Sequence, residues 1–454
     1  MNRKKQSFLI SVMQLATPIV SVRIFYIAIN FIGMLLIARL GEKELAASAL
    51  VTVLANTIIV ISMSPLLAIG IIGSRYFGSK QYEALGRLVR TGWLIATLIG
   101  LLAIYVMLHV HWVLDKFHQP QTIVPLVDAY FAGMSWGVLP LLLIAICHQL
   151  CFASKNARLV CWWSFFTFVF TLPLGALLTF GYWGFPKLGI AGWSYSISII
   201  NWFSSIVIAI YLFRANLFQQ LQLFNFRSQP WSAELKNIMH IGSPIVLQLS
   251  AELIAFALAN FMIGWIGLEA LAVQQITLQF AMIVLMLPMG AAQACAILIG
   301  QAIGSERAQD VRKIVLAGMQ LILSAMTIIV SLYFIFPYQL ASMYVDTLEL
   351  SPYMIKMIKL NFLIAGFSQS FDAVRNLLLG CLRGLQDVWL PMYLNIAIIF
   401  SAVILAYILA FSFNIGLCGI NLAFMGLFML GASLMYKRLH DNVSVSLKKT
   451  SLTY

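Results

Sequence analysis

The sequence predicts an all-α integral membrane protein with about 12 transmembrane helices, arranged as two parallel-repeat six-helix bundles. Three observations predict it. Of 454 residues, 62% are hydrophobic and only 9% are charged, and the mean hydropathy is +0.94. Soluble domains carry about 25% charged residues, so this chain lacks the polar surface that would face water. The apolar residues also fall in long blocks, such as the uncharged stretch 94–108, on the scale of the roughly 20 residues that cross a bilayer core. Finally, the chain repeats itself. At a shift of 226, Pro18 meets Pro244, Gly41 meets Gly267, Leu45 and Ala46 meet Leu271 and Ala272, and Gly78 and Ser79 meet Gly304 and Ser305. At a shift of 227, Gly189 and Gly192 meet Gly416 and Gly419.

Lipid offers the backbone no hydrogen-bond partner, so spanning blocks are helices or strands of a closed barrel. The ten-residue alternation of barrel strands is absent. The expected helices are 8–38, 45–77, 91–112, 122–152, 157–181, 188–213, 237–266, 271–303, 314–337, 351–382, 388–411 and 416–436. The first follows Arg3, Lys4 and Lys5 and runs far past the apolar region of a signal peptide, so it is read as an uncleaved span. The long polar connection 214–236 is read as a cytoplasmic linker. It joins an N-terminal lobe, 1–213, to a C-terminal lobe, 237–437, and a cytoplasmic tail, 438–454, follows.

Twenty of the 28 Lys and Arg fall in loops on one side, six on the other and two inside spans. Cytoplasmic loops carry the excess, which places both termini in the cytoplasm and the chain in the cell (inner) membrane. The net charge of +13 follows from that bias and from anionic headgroups. A nucleic-acid partner would call for a basic stripe on a soluble face and is not expected. The six cysteines lack metal-ligand spacing and read as small buried hydrophobes. No His-Glu-x-x-His helix, Walker loop or nucleophile motif is present, so an enzyme and a cofactor are not expected. With an even number of spans per half, the halves share one orientation. Parallel repeats of this kind carry transport sites near the bilayer midplane.

Away from the span ends, four charged residues are the clear intramembrane cases: Arg23, Glu252, Asp372 and Arg375. Each costs about 2.5–3.5 kcal/mol to insert, so each is a candidate for function. Gln248 lies one turn before Glu252, and Arg375 lies three residues after Asp372, on the same face. The two carboxylates could exchange protons, or could hold Na⁺ with oxygens from Gln275, Gln279 and Ser368. The plainer reading is that each acid ties helices together and that Asp372 and Arg375 form a structural bridge. Arg375 could equally be a built-in counter-charge, and Arg23 could snorkel or pair structurally, repel cations, bind an anionic group, or reach across to Glu252 or Asp372.

Four stretches carry a family likeness: LATPIV at 15–20, GSPIVLQLSAEL at 242–253, LPMGAAQA at 287–294 and FDAVRNLLLGCLRGLQD at 371–387. In their order and spacing the chain resembles the multidrug and toxic compound extrusion (MATE) transporters, NorM-like branch, over about residues 8–437. The resemblance implies a monomeric secondary active antiporter that exports organic cations or drugs in exchange for H⁺ or Na⁺. It implies Glu252 and Asp372 as the coupling pair, with Arg375 where an uncharged polar residue is expected. It also exposes a departure. The acidic position of the first helix is Gly33, two positions of the fifth that are often Asn are Thr171 and Gly175, and Tyr26 stands where the repeat places Glu252. Tyr26, Phe256, Phe280, Met282 and Met286 are candidates for an adaptable substrate surface. Arg383 and Asp387 are expected to shape a cytoplasmic loop. Arg23 and Arg375 keep open a lipid or lipid-linked sugar flippase of the wider superfamily. A polytopic membrane enzyme is the remote alternative.

Overall fold

The structure is a computed structural model that describes residues 8–116, 120–215, 219–221, 223, 231–344 and 352–451. Every described element is a helix or a helical turn. Helix α1 spans Phe8–Ala38; α2, Glu42–Met63, continues through a 3₁₀ turn, Ser64–Leu66, into α3, Leu67–Gly78. Then come α4 (Tyr82–Leu108), the short α5 (Val110–Lys116), α6 (Val124–Ala153), α7 (Ala157–Phe180) and α8 (Ile190–Arg214). The second half holds α9 (Trp231–Ile266), α10 (Leu268–Gly304), α11 (Asp310–Ile335), the short α12 (Pro337–Ser342), α13 (Pro352–Gly384), α14 (Trp389–Tyr407) and α15 (Leu417–Ser451). Helix α14 ends in a π turn, Ile408–Ser412.

Among the described residues, eleven helices are long and apolar enough to cross a membrane. Helix α13 is not among them, although its 33 residues exceed the length required. Its sequence carries Lys356, Lys359, Asp372, Arg375 and Arg383. With it, the helices match the twelve expected spans in order. Helix α15 runs on to Ser451, through much of the expected tail. Parts of the linker 214–236 and the basic residues Arg3, Lys4 and Lys5 lie outside the described residues.

The repeat is visible in the turns. Gly41 and Gly267 both precede the second long helix of their half, at φ 155 and 143, and Gly189 and Gly416 precede the sixth, at φ 58 and 64. A positive φ is costly for residues bearing Cβ, so the matched glycines mark matched turn geometry.

Contacts divide the chain into two compact units, and the division falls inside helices. One unit is Ser21–Ser243; the other joins Met1–Val20 to Pro244–Tyr454. Thus the start of α1 packs with the C-terminal helices, where Val12 belongs to a core with Ala291, Leu377 and Met435. The start of α9 packs with the N-terminal helices, where Tyr76 donates a hydrogen bond to Glu234 at 3.3 Å. The expected lobes divide at the linker; the packing exchanges the first part of α1 for the first part of α9.

Small residues set the close helix pairs. In the unit Ser21–Ser243, Gly133 and Gly137 of α6 face Ser194 and Ser198 of α8, and the Ser198 hydroxyl donates to the Gly133 carbonyl at 2.7 Å. In the other unit, a Cβ at Gly380 or Gly384 of α13 would lie 2.5 or 2.6 Å from the backbone oxygens of Ala292 or Ala296 in α10. Small residues four apart let helix backbones approach in lipid, where packing drives association.

Candidate functional site

In the unit built on α9–α15, two apolar clusters leave a polar layer between them along the helices. One cluster holds Leu377 of α13 and Met435 of α15. The other holds Phe362 of α13, Phe428 of α15, Ala255 of α9 and Ile399 of α14. Between them α9 contributes Glu252, α13 contributes Asp372 and Arg375, and α14 contributes Asn395.

Arg375 organises this layer. Its side chain is 1% exposed, against 13% for those of Glu252 and Asp372. Its Nε and Nη2 donate to Asp372 Oδ1 at 3.0 and 2.6 Å. Its Nη1 donates to Glu252 Oε1 at 3.2 Å and also to Asn395 Oδ1. The guanidinium carbon lies 4.9 Å from the centroid of the Phe428 ring, within reach of a cation–π attraction. Gly431 makes room for the stem: a Cβ there would lie 3.1 Å from Arg375 Cδ.

Amides extend the network. Asn395, wholly buried, donates from Nδ2 to Glu252 Oε1 at 2.8 Å. Gln248 donates from Nε2 to the same oxygen at 3.2 Å. Arg383 Nη2 in turn donates to Gln248 Oε1 at 2.8 Å. Asn376 donates to the Asp372 carbonyl at 3.0 Å.

The structure therefore brings together Glu252, Asp372, Arg375 and Gln248 of the residues singled out from sequence. It does not bring in Gln275 and Gln279, which are exposed on α10. Ser368 is half-buried, one turn before Asp372, and no described hydrogen bond joins it to the network. Arg23 and Tyr26 lie in the other unit, Arg23 half-buried and Tyr26 39% exposed. Two members were missed. Asn395 is the lone amide in an otherwise apolar helix, a signal that the sequence did contain. Arg383 belongs to helix α13 and reaches Gln248, rather than shaping a loop; Asp387 accepts from Arg438 and Asn442 at 2.8 and 2.6 Å.

A second polar cluster, also missed, lies on α10, α13 and α15. Asn361 donates to Thr277 Oγ1 at 2.8 Å and to Gln274 Oε1 at 3.3 Å. Asn421 donates to Gln274 Oε1 at 3.0 Å and to Asn361 Oδ1 at 2.5 Å. It ties three helices through interhelical amide bonds.

In the unit Ser21–Ser243 the corresponding positions hold no acid. Gly33 of α1 and Gly175 of α7 both abut the indole of Trp193 from α8, and a Cβ at either would overlap that ring. Trp193 is 2% exposed. Thr171 turns its hydroxyl to the Thr167 carbonyl at 2.7 Å.

Comparison with known proteins decides the family. The family model described as MatE matches residues 18–177 and again 244–408. The chain belongs to the MatE family. The two matches begin at Pro18 and Pro244, the pair that the repeat superimposes. Among named MatE relatives, a probable multidrug resistance protein NorM of Rhizobium meliloti (strain 1021) is 28% identical over 90% of this chain and 88% of that protein. The protein of the same name from Neisseria meningitidis serogroup B is 26% identical over 89% and 88%. The Vibrio cholerae MATE transporter VcmN in its bent form has the same fold, with a TM-score of 0.88 at 17% identity over 97% of this chain and 98% of that one. So does a transporter from Pyrococcus furiosus described as having reverse polarity in its binding pocket, with a TM-score of 0.86 at 16% identity over 97% of each chain. The membership makes this chain a multi-pass membrane transporter.

Proposed function

We propose that this protein is a secondary active antiporter of the cell inner membrane. It exports organic cations, drugs among them, in exchange for inward H⁺ or Na⁺, with both termini in the cytoplasm and Glu252 and Asp372 as the coupling carboxylates. The observation that carries the reading is the buried trio in which Arg375 pairs with both acids at once. Arg375 answers both carboxylates at once, so a coupling ion or a cationic substrate competes with it for the same acidic oxygens. The NorM relatives' description as probable multidrug resistance proteins supports the substrate class. The parallel repeats support alternating access.

Energetics favour exchange. Moving one positive charge out of an inside-negative cell costs about 2.3 kcal/mol per 100 mV. An incoming monovalent cation cancels that cost and adds its own chemical gradient.

The test is export of a fluorescent organic cation from proteoliposomes under separately imposed H⁺ and Na⁺ gradients. Uphill export under at least one gradient is expected, and Glu252→Gln should lose it while still melting in a single cooperative transition. Absence of uphill export under both gradients, or normal export by Glu252→Gln, rejects the assignment.

A further inference from the structure

The amides around the two carboxylates all point one way. An arginine can only donate hydrogen bonds and keeps its proton, so an amide that touches one must turn its oxygen toward it. Asn395 turns Oδ1 to Arg375, and Gln248 turns Oε1 to Arg383. Which way an amide points is ordinarily settled by its surroundings; here two arginines settle it. The N–H ends are left facing Glu252, where Oε1 accepts from Arg375, Asn395 and Gln248. Asp372 Oδ1 accepts twice from Arg375.

A hard metal cation needs a shell of several oxygens. The amide oxygens of Asn395 and Gln248, the two amides that touch Glu252, are committed to guanidinium groups. One oxygen of each acid is already filled with N–H donors. A proton needs only one lone pair. The described hydrogen bonds to the Glu252 carboxyl all fall on Oε1, and those from Arg375 to Asp372 fall on Oδ1, so Glu252 Oε2 is the oxygen placed to take it. The charged groups that meet here are Glu252 from α9 and Asp372, Arg375 and Arg383 from α13; α14 presents Asn395, and α15 presents Phe428 and Gly431.

We propose that Arg375 and Arg383 determine the ion specificity of this site: by holding the amide oxygens of Asn395 and Gln248 away from the carboxylates, they exclude Na⁺ and leave the proton as the ion exchanged. The inference rests on the coupling role assigned above to Glu252 and Asp372. Arg375 touches both acids directly. Arg383 acts through Gln248 and is a positioning residue.

The decisive variants are at Arg383, because removing Arg375 would strand two buried carboxylates and endanger the fold. Arg383→Gln releases Gln248 to turn its oxygen toward Glu252; Arg383→Lys keeps a donor in place. Reconstituted protein would be assayed for export of a fluorescent cation under a pH gradient alone and a Na⁺ gradient alone, and over a range of pH. Detergent-purified protein would be titrated with NaCl by calorimetry. Wild type and Arg383→Lys should respond to the pH gradient alone and show no saturable Na⁺ binding. Arg383→Gln should gain saturable Na⁺ binding that wild type lacks, with Na⁺-sensitive export and a displaced pH profile. Na⁺-driven export or saturable Na⁺ binding by the wild type overturns the proposal. So does an Arg383→Gln variant with the wild-type ion response and pH profile. If no variant exports under either gradient, the antiporter reading fails, and the calorimetric comparison still decides the ion choice.

Discussion

Arg375 is nearly sealed from solvent and still charged, which is tolerable only because each face of the guanidinium is answered. Its edge meets Asp372, Glu252 and Asn395, and its plane lies near the Phe428 ring. Replacing Phe428 with Leu should remove a cation–π term of about 0.5–2 kcal/mol, seen as a lower melting temperature with the salt bridges intact. Gly431→Val should do more harm, because the added carbons meet the arginine stem; export and stability should fall together in a thermal-shift and transport assay. At this scale much of the site was legible. Charges in an apolar span announce themselves by their cost, so Glu252 and Asp372 stood out, and the spacing of three brought Arg375 to Asp372. The second partner of Arg375 was not legible, since its pairing with Glu252 joins α9 to α13 and no local rule specifies that contact. Gln275 and Gln279 were drawn in by composition alone. The inward face of α10 instead carries Gln274 and Thr277, and only the packing of α13 and α15 against that helix selects them.

At the scale of helices, close approach is bought with missing side chains. The Gly380–Ala292 and Gly384–Ala296 contacts bring α13 onto α10, and they fix the height at which Asp372 and Arg375 sit. Gly380→Val should therefore destabilise by about 1–3 kcal/mol through overpacking and displace the charged residues; the readouts are the melting temperature and the export rate, both expected to drop. The N-terminal unit shows the opposite use of space, with Trp193 filling the room between Gly33 and Gly175. Gly33→Asp should not create a second coupling site. The carboxylate would have to expel a buried indole, so loss of stability without any gain in export is expected; an increase in ion-driven export would contradict this account. Sequence showed that acids were missing from the matching positions of this half, Gly33 and Tyr26. It did not show what replaced them, because a tryptophan in a membrane helix looks the same whether it faces lipid or fills a core.

Over the whole molecule, the repeat and the chemistry part ways. Turn glycines with positive φ recur at matched positions in both halves, whereas the buried acid–arginine network belongs to one. The helices and their order could be read from hydropathy, with α13 as the instructive case: its polarity weakens the membrane signal for the same reason that makes it central. The exchange of helix segments between units could not be read, since α1 and α9 are each a continuous apolar run. Their crossing predicts how the chain behaves when cut. Fragments 1–222 and 223–454 should each be degraded when expressed alone and should accumulate when expressed together, as judged by immunoblots of membranes; stable accumulation of either alone would show that the exchanged segments are dispensable.

The same exchange orders events during synthesis. Val12 emerges near the beginning of translation, yet the core it enters includes Met435, which emerges near the end. Ser21–Ser243 gains its last segment only when α9 has begun to leave the ribosome. Contacts so distant in sequence form late, and apolar surface left waiting is prone to mispairing. The opening part of α1 must therefore stay unclaimed in the bilayer until its partners in the second half begin to be made, which makes its docking a late step exposed to quality-control proteases.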